Sequence, residues 1–331
     1  MILPRLALYN ESFAIRGLFR LSRGAKKTAE TVRVEVSQDG CVGRGEAVPY
    51  RHYGETVDGV MAQIEGRRAL IESGTGRQAL QSLFPAGAAR NALDCALWDL
   101  ESALNGQSVW QRAGLPPPHS VITTYTLSLD SPSAMARVAA EQAWPILKLK
   151  LGDEADLERV QAVRQAAPGS RLVVDANEAW SLAQLLALAP PMAKLGVELI
   201  EQPLPAGFDE SLRGLDLPVA LAADESFHTA EDLPGLAGLF QTVNIKLDKT
   251  GGFTAGLAAL NEAHKLGFEI MVGCMVATSL SMAPALLLAQ KAKYVDLDGP
   301  LLLERDRSPG LHYEGARVYP PDQALWGNSP R

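Results

Sequence analysis

The stretch Ile146-Leu147-Lys148-Leu149-Lys150 reads as a short β-strand, and its interpretation decides the fold. It has the length and apolar content of a buried strand, yet it carries two lysines. Side chains alternate faces along a strand, so Lys148 and Lys150 point the same way. Two ammonium groups side by side repel and lower each other's pKa. Such a face predicts a site that holds one neutral amine near pH 7.

Similar runs recur on either side of it: Val121 to Leu127 before, then Leu172 to Asp175, Glu198 to Glu201, Val219 to Asp224, Thr242 to Leu247, Glu269 to Cys274 and Tyr294 to Asp298. Helical pattern fills the intervals. Eight strands at spacings of roughly 20 to 30 residues form a βαβ rhythm, which predicts a closed (β/α)8-type barrel rather than an open sheet. Leu115-Pro116-Pro117-Pro118 precedes the first run and reads as a linker, because three prolines cannot continue a helix.

Upstream of the linker the chain reads as a different unit. Thr31 to Val36 alternates, Asp39-Gly40 is a hairpin signal, and Cys41 to Val48 resumes extended sequence. Between the first strands, Arg16 to Lys27 reads as a basic loop carrying Arg16, Arg20 and Arg23. From Glu55 to about Asn105 the period is helical. Gly74 to Ala79 matches a loose dinucleotide-binding pattern, but it follows a helix rather than a strand and reads as a helix-breaking loop. The expected division is an α+β unit over residues 1–115, a barrel over 116–303 and a tail over 304–331 that packs back on the first unit.

The 331 residues carry a net charge of −7, with no long basic run, which argues against a nucleic-acid partner. Cys41, Cys95 and Cys274 form no CxxC pair, which suggests neither zinc nor a disulfide framework and fits the cytoplasm. The first residues read as no secretory signal. The uncharged run Ile270 to Ala289 is broken by Gly273 and Pro284 and reads as strand, loop and helix start rather than a membrane span.

Active sites of such barrels gather at the C-terminal ends of the strands. Asp175, Glu201 and Asp224 end three successive runs. Any one alone is as well explained as a helix cap after a strand. Three carboxylates converging in a dry mouth call for a hard divalent cation, and oxygen-only ligands point to Mg2+. Lys246 ends the next run, with Asn244 and Asp248 expected on its face. The second and sixth strands of eight lie opposite each other, so Lys150 and Lys246 are expected to flank one carbon from two sides. Asp296 and Asp298 share a face of the last run, where they suit a metal, a cationic substrate group or a simple turn.

These residues resemble the enolase superfamily, in its muconate-cycloisomerase subgroup, and within it the dipeptide epimerases. The resemblance is carried by LKLK, VVDANEAW, IEQPLP, ADES, NIKLDKTGG, GCM and DLDGP, and by ALDCALWDLESALNGQSVW and RVEVSQDGCVGRGEAVPYRHYGE upstream. It implies a modified TIM (β/α)7β-type barrel with an N-terminal α+β capping domain. It implies Mg2+ on Asp175, Glu201 and Asp224, with Lys150 and Lys246 as the acid/base pair and Lys148 at the substrate carboxylate. Asp296 and Asp298 match the pair that accepts a dipeptide's α-ammonium group. Thr126 and Cys274 match positions lining the substrate, and the loop near Arg23 resembles one that places an arginine on a glutamate side chain. Val276 and Ala277 depart from the acidic residue that several relatives carry after GCM.

The expected activity is epimerisation of the C-terminal residue of a dipeptide, most plausibly L-Ala-D/L-Glu. Cycloisomerisation, N-acylamino-acid racemisation and o-succinylbenzoate synthesis are alternatives on the same residues. A non-catalytic binding protein is a remote one. A homo-oligomer is compatible with the sequence.

Overall fold

The computed structural model describes residues 2–322 and 324–327. Strands β1 (Arg5–Leu21), β2 (Gly24–Gln38) and β3 (Cys41–Ala47) form an antiparallel meander in that order. Asp39 and Gly40, both at positive φ (48° and 83°), make the two-residue turn that the Asp-Gly pair demands. The segment Arg16 to Lys27 is not a loop. β1 and β2 pair on through Leu21 and Gly24, past a register shift between Ala14 and Phe19, and only Ser22 and Arg23 turn. Most side chains at this tip are wholly or partly exposed, so no burial alternation marked it as strand.

Helix Ala88–Asn105 is buried on almost every face and joins the two parts of the molecule. On one side it lies against β3, where Gly43 and Gly45 permit backbone contact. A Cβ at Gly45 would fall 2.1 Å from the Ala92 carbonyl oxygen. On the other side it meets the barrel. Arg90 donates to the carbonyls of Thr250 (2.7 Å) and Gly251 (3.1 Å), Trp98 Nε1 donates to Thr254 Oγ1 (2.9 Å), and Asp94 accepts from the Thr254 amide (2.8 Å).

After the prolines, Val121–Leu127 splits. β4 (Val121–Ile122) pairs with β14 (Arg317–Val318), which pairs with β13 (Tyr313–Glu314), so the tail forms a small antiparallel sheet with the start of this run. Thr123 and Thr124 redirect the chain into β5 (Tyr125–Leu127), the first of eight parallel strands. The others are β6 (Ile146–Lys150), β7 (Arg171–Asp175), β8 (Val197–Glu201), β9 (Ala220–Ala223), β10 (Thr242–Ile245), β11 (Glu269–Val272) and β12 (Tyr294–Val295). Each pairs with its neighbour in sequence. The edges meet where the Thr124 amide donates to the Val295 carbonyl (2.8 Å) and the Thr126 amide to Asp298 Oδ2 (2.6 Å). The barrel interior is plugged by Ile146, Val173, Leu199, Ala222, Met271 and Tyr294.

The helix expected after Glu201 is only a 3-10 turn, Asp209–Leu212, and the one after Asp224 is a short pair of turns. The run from Ile270 to Ala289 is strand, loop and the helix Ser279–Ala289; among the described residues no helix is long and apolar enough to cross a membrane. The tail also reaches the long helix, with Trp326 Nε1 donating to the Cys95 carbonyl (3.0 Å).

The contact at Gly45 gives a direct test. Gly45→Ala should force the long helix away from β3 and lower stability by about 1–3 kcal/mol, measured by urea unfolding; an unchanged midpoint would show that the interface yields freely.

Candidate active site

Strand register builds the site. Lys150 on β6 pairs with Asp175 on β7, and Asp175 with Glu201 on β8. Asp224 and Lys246 follow at the first positions beyond β9 and β10. Five successive strands therefore present Lys, acid, acid, acid, Lys around half the barrel rim, with the two lysines on opposite walls. Each lysine grips the acid nearest to it. Lys150 Nζ donates to Asp175 Oδ2 (2.6 Å), and Lys246 Nζ to Asp224 Oδ2 (2.6 Å).

The three acids are buried, and one oxygen from each lies within 4.8 Å of the others, so they could hold a divalent cation. Lys148 stands beside two of them and Asp296, 2.7 Å from Glu201 Oε2, 2.7 Å from Asp296 Oδ2 and 3.3 Å from Asp175 Oδ2. Glu201 Oε2 has the Lys148 ammonium as its charged neighbour and no other hydrogen-bond partner. That donor set fits a hard cation.

Charge crowding sets the protonation states. Burial works to raise the Asp175 carboxyl, but Lys150 and Lys148 outweigh it and hold the group down at about 2. Burial and the Asp175 charge push Glu201 up. Burial works to lower Lys246, but Asp224 and Glu201 outweigh it and raise the ammonium well above an ordinary lysine. Lys148 is raised against burial in the same way by Asp296 and Glu201. Of the two adjacent lysines, Lys148 is therefore not the near-neutral amine, because its acids hold it charged. Lys148 and Lys246 face carboxylates at salt-bridge distance, and those charges decide the sign.

A cavity of about 980 Å3 opens above these groups, lined by Lys148, Lys150, Lys246 and Asp224 from the barrel and by the β1–β2 tip and residues Tyr50 to Tyr53 from the other unit. Asp296 and Asp298 also line it. Asp296 accepts from Lys148 and from Thr124 Oγ1 (2.7 Å), and Lys148 holds it low against the effect of burial. Asp298 accepts from the Thr126 amide, and burial with the neighbouring Asp296 raises it to about 7. Thr126 and Cys274 both reach the cavity wall.

Arg23 is where it was expected but is already engaged, and one expectation, for Asp248, needs correction. Arg23 lines the cavity, but its guanidinium is already paired, to Glu225 (2.7 Å) and Glu178 (2.7 Å), and it donates to the Asn177 carbonyl (3.2 Å). Those acids lie beside the hairpin tip and claim the nearest cation. Asp248 does not share a face with Lys246. The strand ends at Ile245 and a helical turn, Leu247–Thr250, begins, so Asp248 swings to the other unit, where it accepts from the Val48 amide (3.0 Å) and Asn91 Nδ2 (2.9 Å).

Asn244, expected beside Lys246, reaches the triad, and Lys249 escaped the sequence reading. Asn244 Nδ2 donates to Glu201 Oε1 (2.7 Å), and Lys249 Nζ donates to Asp224 Oδ1 (2.6 Å) and to its backbone carbonyl. The signal for Lys249 was its place one helical turn after Lys246, two residues before the Gly251-Gly252 pair.

Residues 6–114 match the model described as the mandelate racemase/muconate lactonizing enzyme N-terminal domain, and residues 132–327 match that of the enolase C-terminal domain-like family. The L-Ala-D/L-Glu epimerase of Escherichia coli is 43% identical over 94% of this chain and 98% of its own. The N-acetyl-D-glutamate racemase of a Pseudoalteromonas species is 46% identical over 87% of this chain and 92% of its own. An Agrobacterium tumefaciens enolase-family protein with homology to dipeptide epimerases, solved with sodium and L-Ala-L-Glu, superposes with a TM-score of 0.96 at 48% identity, covering 98% of this chain and 100% of that one. With both halves matched and such relatives along nearly its full length, the chain belongs to the mandelate racemase/muconate lactonizing enzyme family of the enolase superfamily.

Proposed function

We propose that this chain is a Mg2+-dependent epimerase that inverts the α-carbon of the C-terminal residue of a dipeptide, with L-Ala-D/L-Glu as its substrate. The observation that carries this is the arc of Lys150, Asp175, Glu201, Asp224 and Lys246, which sets two amines on opposite walls of one acid-floored mouth. Asp175, Glu201 and Asp224 would hold Mg2+, as the solved Enterococcus faecalis dipeptide epimerase, 28% identical with a TM-score of 0.90, carries Mg with L-Leu-L-Tyr. When bound, the cation supplies Lewis-acid stabilisation of charge developing on the substrate carboxylate.

The protein groups divide the remaining work. Lys148 adds a fixed positive charge beside that carboxylate. One of Lys150 and Lys246 takes the α-proton from its side, and the other delivers a proton to the opposite face. Which acts as base depends on the configuration that enters. Asp296 and Asp298 receive the dipeptide's α-ammonium group, with Thr126 and Cys274 lining the wall beside them. Arg23 is committed to Glu225 and Glu178, so the substrate's side-chain carboxylate falls to Lys26. That lysine lines the cavity against the Tyr50 ring (4.5 Å), with no ion-pair partner among the described residues. Three free cysteines suit the reducing cytoplasm.

A second reading, racemisation of an N-acylated glutamate, is favoured by one observation. Asp298 at about 7 is largely neutral in mildly acidic solution and then demands no ammonium partner.

Three outcomes test these assignments. In D2O, Lys150→Ala and Lys246→Ala should each lose α-proton exchange with one configuration of the dipeptide and keep residual exchange with the other, followed by mass spectrometry. Full exchange in both variants would exclude the two-base scheme. For a dipeptide, KM should fall as pH rises from 6 to 8, because Asp298 ionises through about 7; Asp298→Asn should flatten that slope, whereas an N-acylated substrate should show no such fall. Lys26→Met should raise KM for L-Ala-L-Glu about tenfold, the loss of one partly solvated charge contact, and leave L-Ala-L-Leu unchanged.

A further inference from the structure

Each acid of the triad is held in the same way. One oxygen is fixed from behind by the protein, and the other is turned toward the site. Asp175 Oδ1 accepts from the Asn177 amide (2.9 Å) while Oδ2 faces Lys150. Glu201 Oε1 accepts from Asn244 Nδ2 while Oε2 faces Lys148. Asp224 Oδ1 accepts from Lys249 while Oδ2 faces Lys246. The first two clamps are amides, and the third is a lysine amine.

We propose that Lys249 is a positioning residue that clamps the Asp224 carboxylate and thereby sets the affinity of the triad for its cation. This rests on the reading of the triad as the Mg2+ site. Lys249 is not among the groups that line the cavity, and its side chain is wholly buried, with Nζ 5.6 Å from the centre of the Phe227 ring. It is placed to touch Asp224, not a substrate. Its ammonium holds two points of that one residue, the backbone carbonyl and Oδ1, so both the main chain and the side-chain torsion are fixed. Oδ2 is then the only oxygen of Asp224 free to turn inward.

The clamp acts on cation binding in two opposed ways. Its positive charge repels a dication nearby, and its grip orients a ligand that would otherwise rotate toward Lys246 and pair with it through both oxygens. Outer groups that orient metal ligands are commonly worth a factor of 10 to 100 in metal affinity. The double hold on Asp224 is of that kind, and orientation outweighs repulsion here.

The test is calorimetric titration of the full-length protein with Mg2+, and with Mn2+ followed by electron paramagnetic resonance. Lys249→Met, close to isosteric, should weaken the dissociation constant at least tenfold, and its turnover should recover toward wild type at saturating Mg2+. An unchanged or tighter constant would overturn the proposal, because it would leave Lys249 as a mere counter-charge. If the methionine variant does not fold by circular dichroism, Lys249→Leu, which likewise has no side-chain donor, is titrated instead with the same criterion, a weaker constant supporting the clamp and an unchanged one refuting it. Failure of the unaltered protein to bind either cation would instead refute the reading of the triad on which the proposal rests.

Discussion

The constraint on which this molecule depends is the burial of many like charges in one small volume. Asp175, Glu201, Asp224 and Asp296 are all nearly sealed from water, and each is tolerable only because a lysine stands at ion-pair distance. Stripping a buried ion of its partner costs several kcal/mol, so the positions of Lys148, Lys150 and Lys246 are dictated by the acids as much as by the reaction. Parallel register satisfies this constraint directly. With Lys150 paired to Asp175 across adjacent strands, opposite charges face each other without help from a flexible loop.

The same crowding explains where strain sits. Asn177, Glu178 and Gln202 adopt positive φ at the strand ends, a conformation that non-glycine residues rarely take. The turn at Gln202 directs its side chain so that Oε1 accepts from the Asp224 amide (2.9 Å) and the Ser226 amide (3.1 Å). The turn at Asn177 brings its amide onto Asp175. Backbone strain is thus spent on fixing the groups that flank the acids.

What could be seen in the sequence follows from geometry. The barrel rhythm and the acids at the ends of apolar runs were legible because a strand has a fixed period and a barrel gathers its strand ends. Legibility failed where the period changed. Asp248 was assigned by alternation one residue after the strand had given way to a helical turn, and Lys249 was invisible for the same reason. The β1–β2 tip looked like a loop because its side chains are mostly exposed and face solvent or cavity rather than core. Arg23 was recognised as a cavity residue, but spacing along a chain carries no information about Glu178 and Glu225, which lie more than 150 residues away and hold it.

Helix Ala88–Asn105 has a bearing on how anything enters or leaves the cavity. Its buried bonds to Thr250, Gly251, Thr254 and Asp248 fasten the meander unit to the barrel at the level of Lys246. Swinging that unit away as one body would expose all of them together, along with the Trp98–Phe253 edge contact. The hairpin tip is held by Arg23, by the Ser22 hydroxyl on the Asn177 carbonyl (3.1 Å), by the Arg20 carbonyl on the Leu129 amide (3.0 Å) and the Arg20 amide on Ser128 Oγ (2.6 Å), and by the exposed Arg20–Asp130 pair (3.5 Å). Traffic through the mouth is therefore a matter of peeling back a two-stranded ribbon against a few polar contacts. Because its main tether pairs Arg23 with two largely buried acids, added salt screens that hold only weakly.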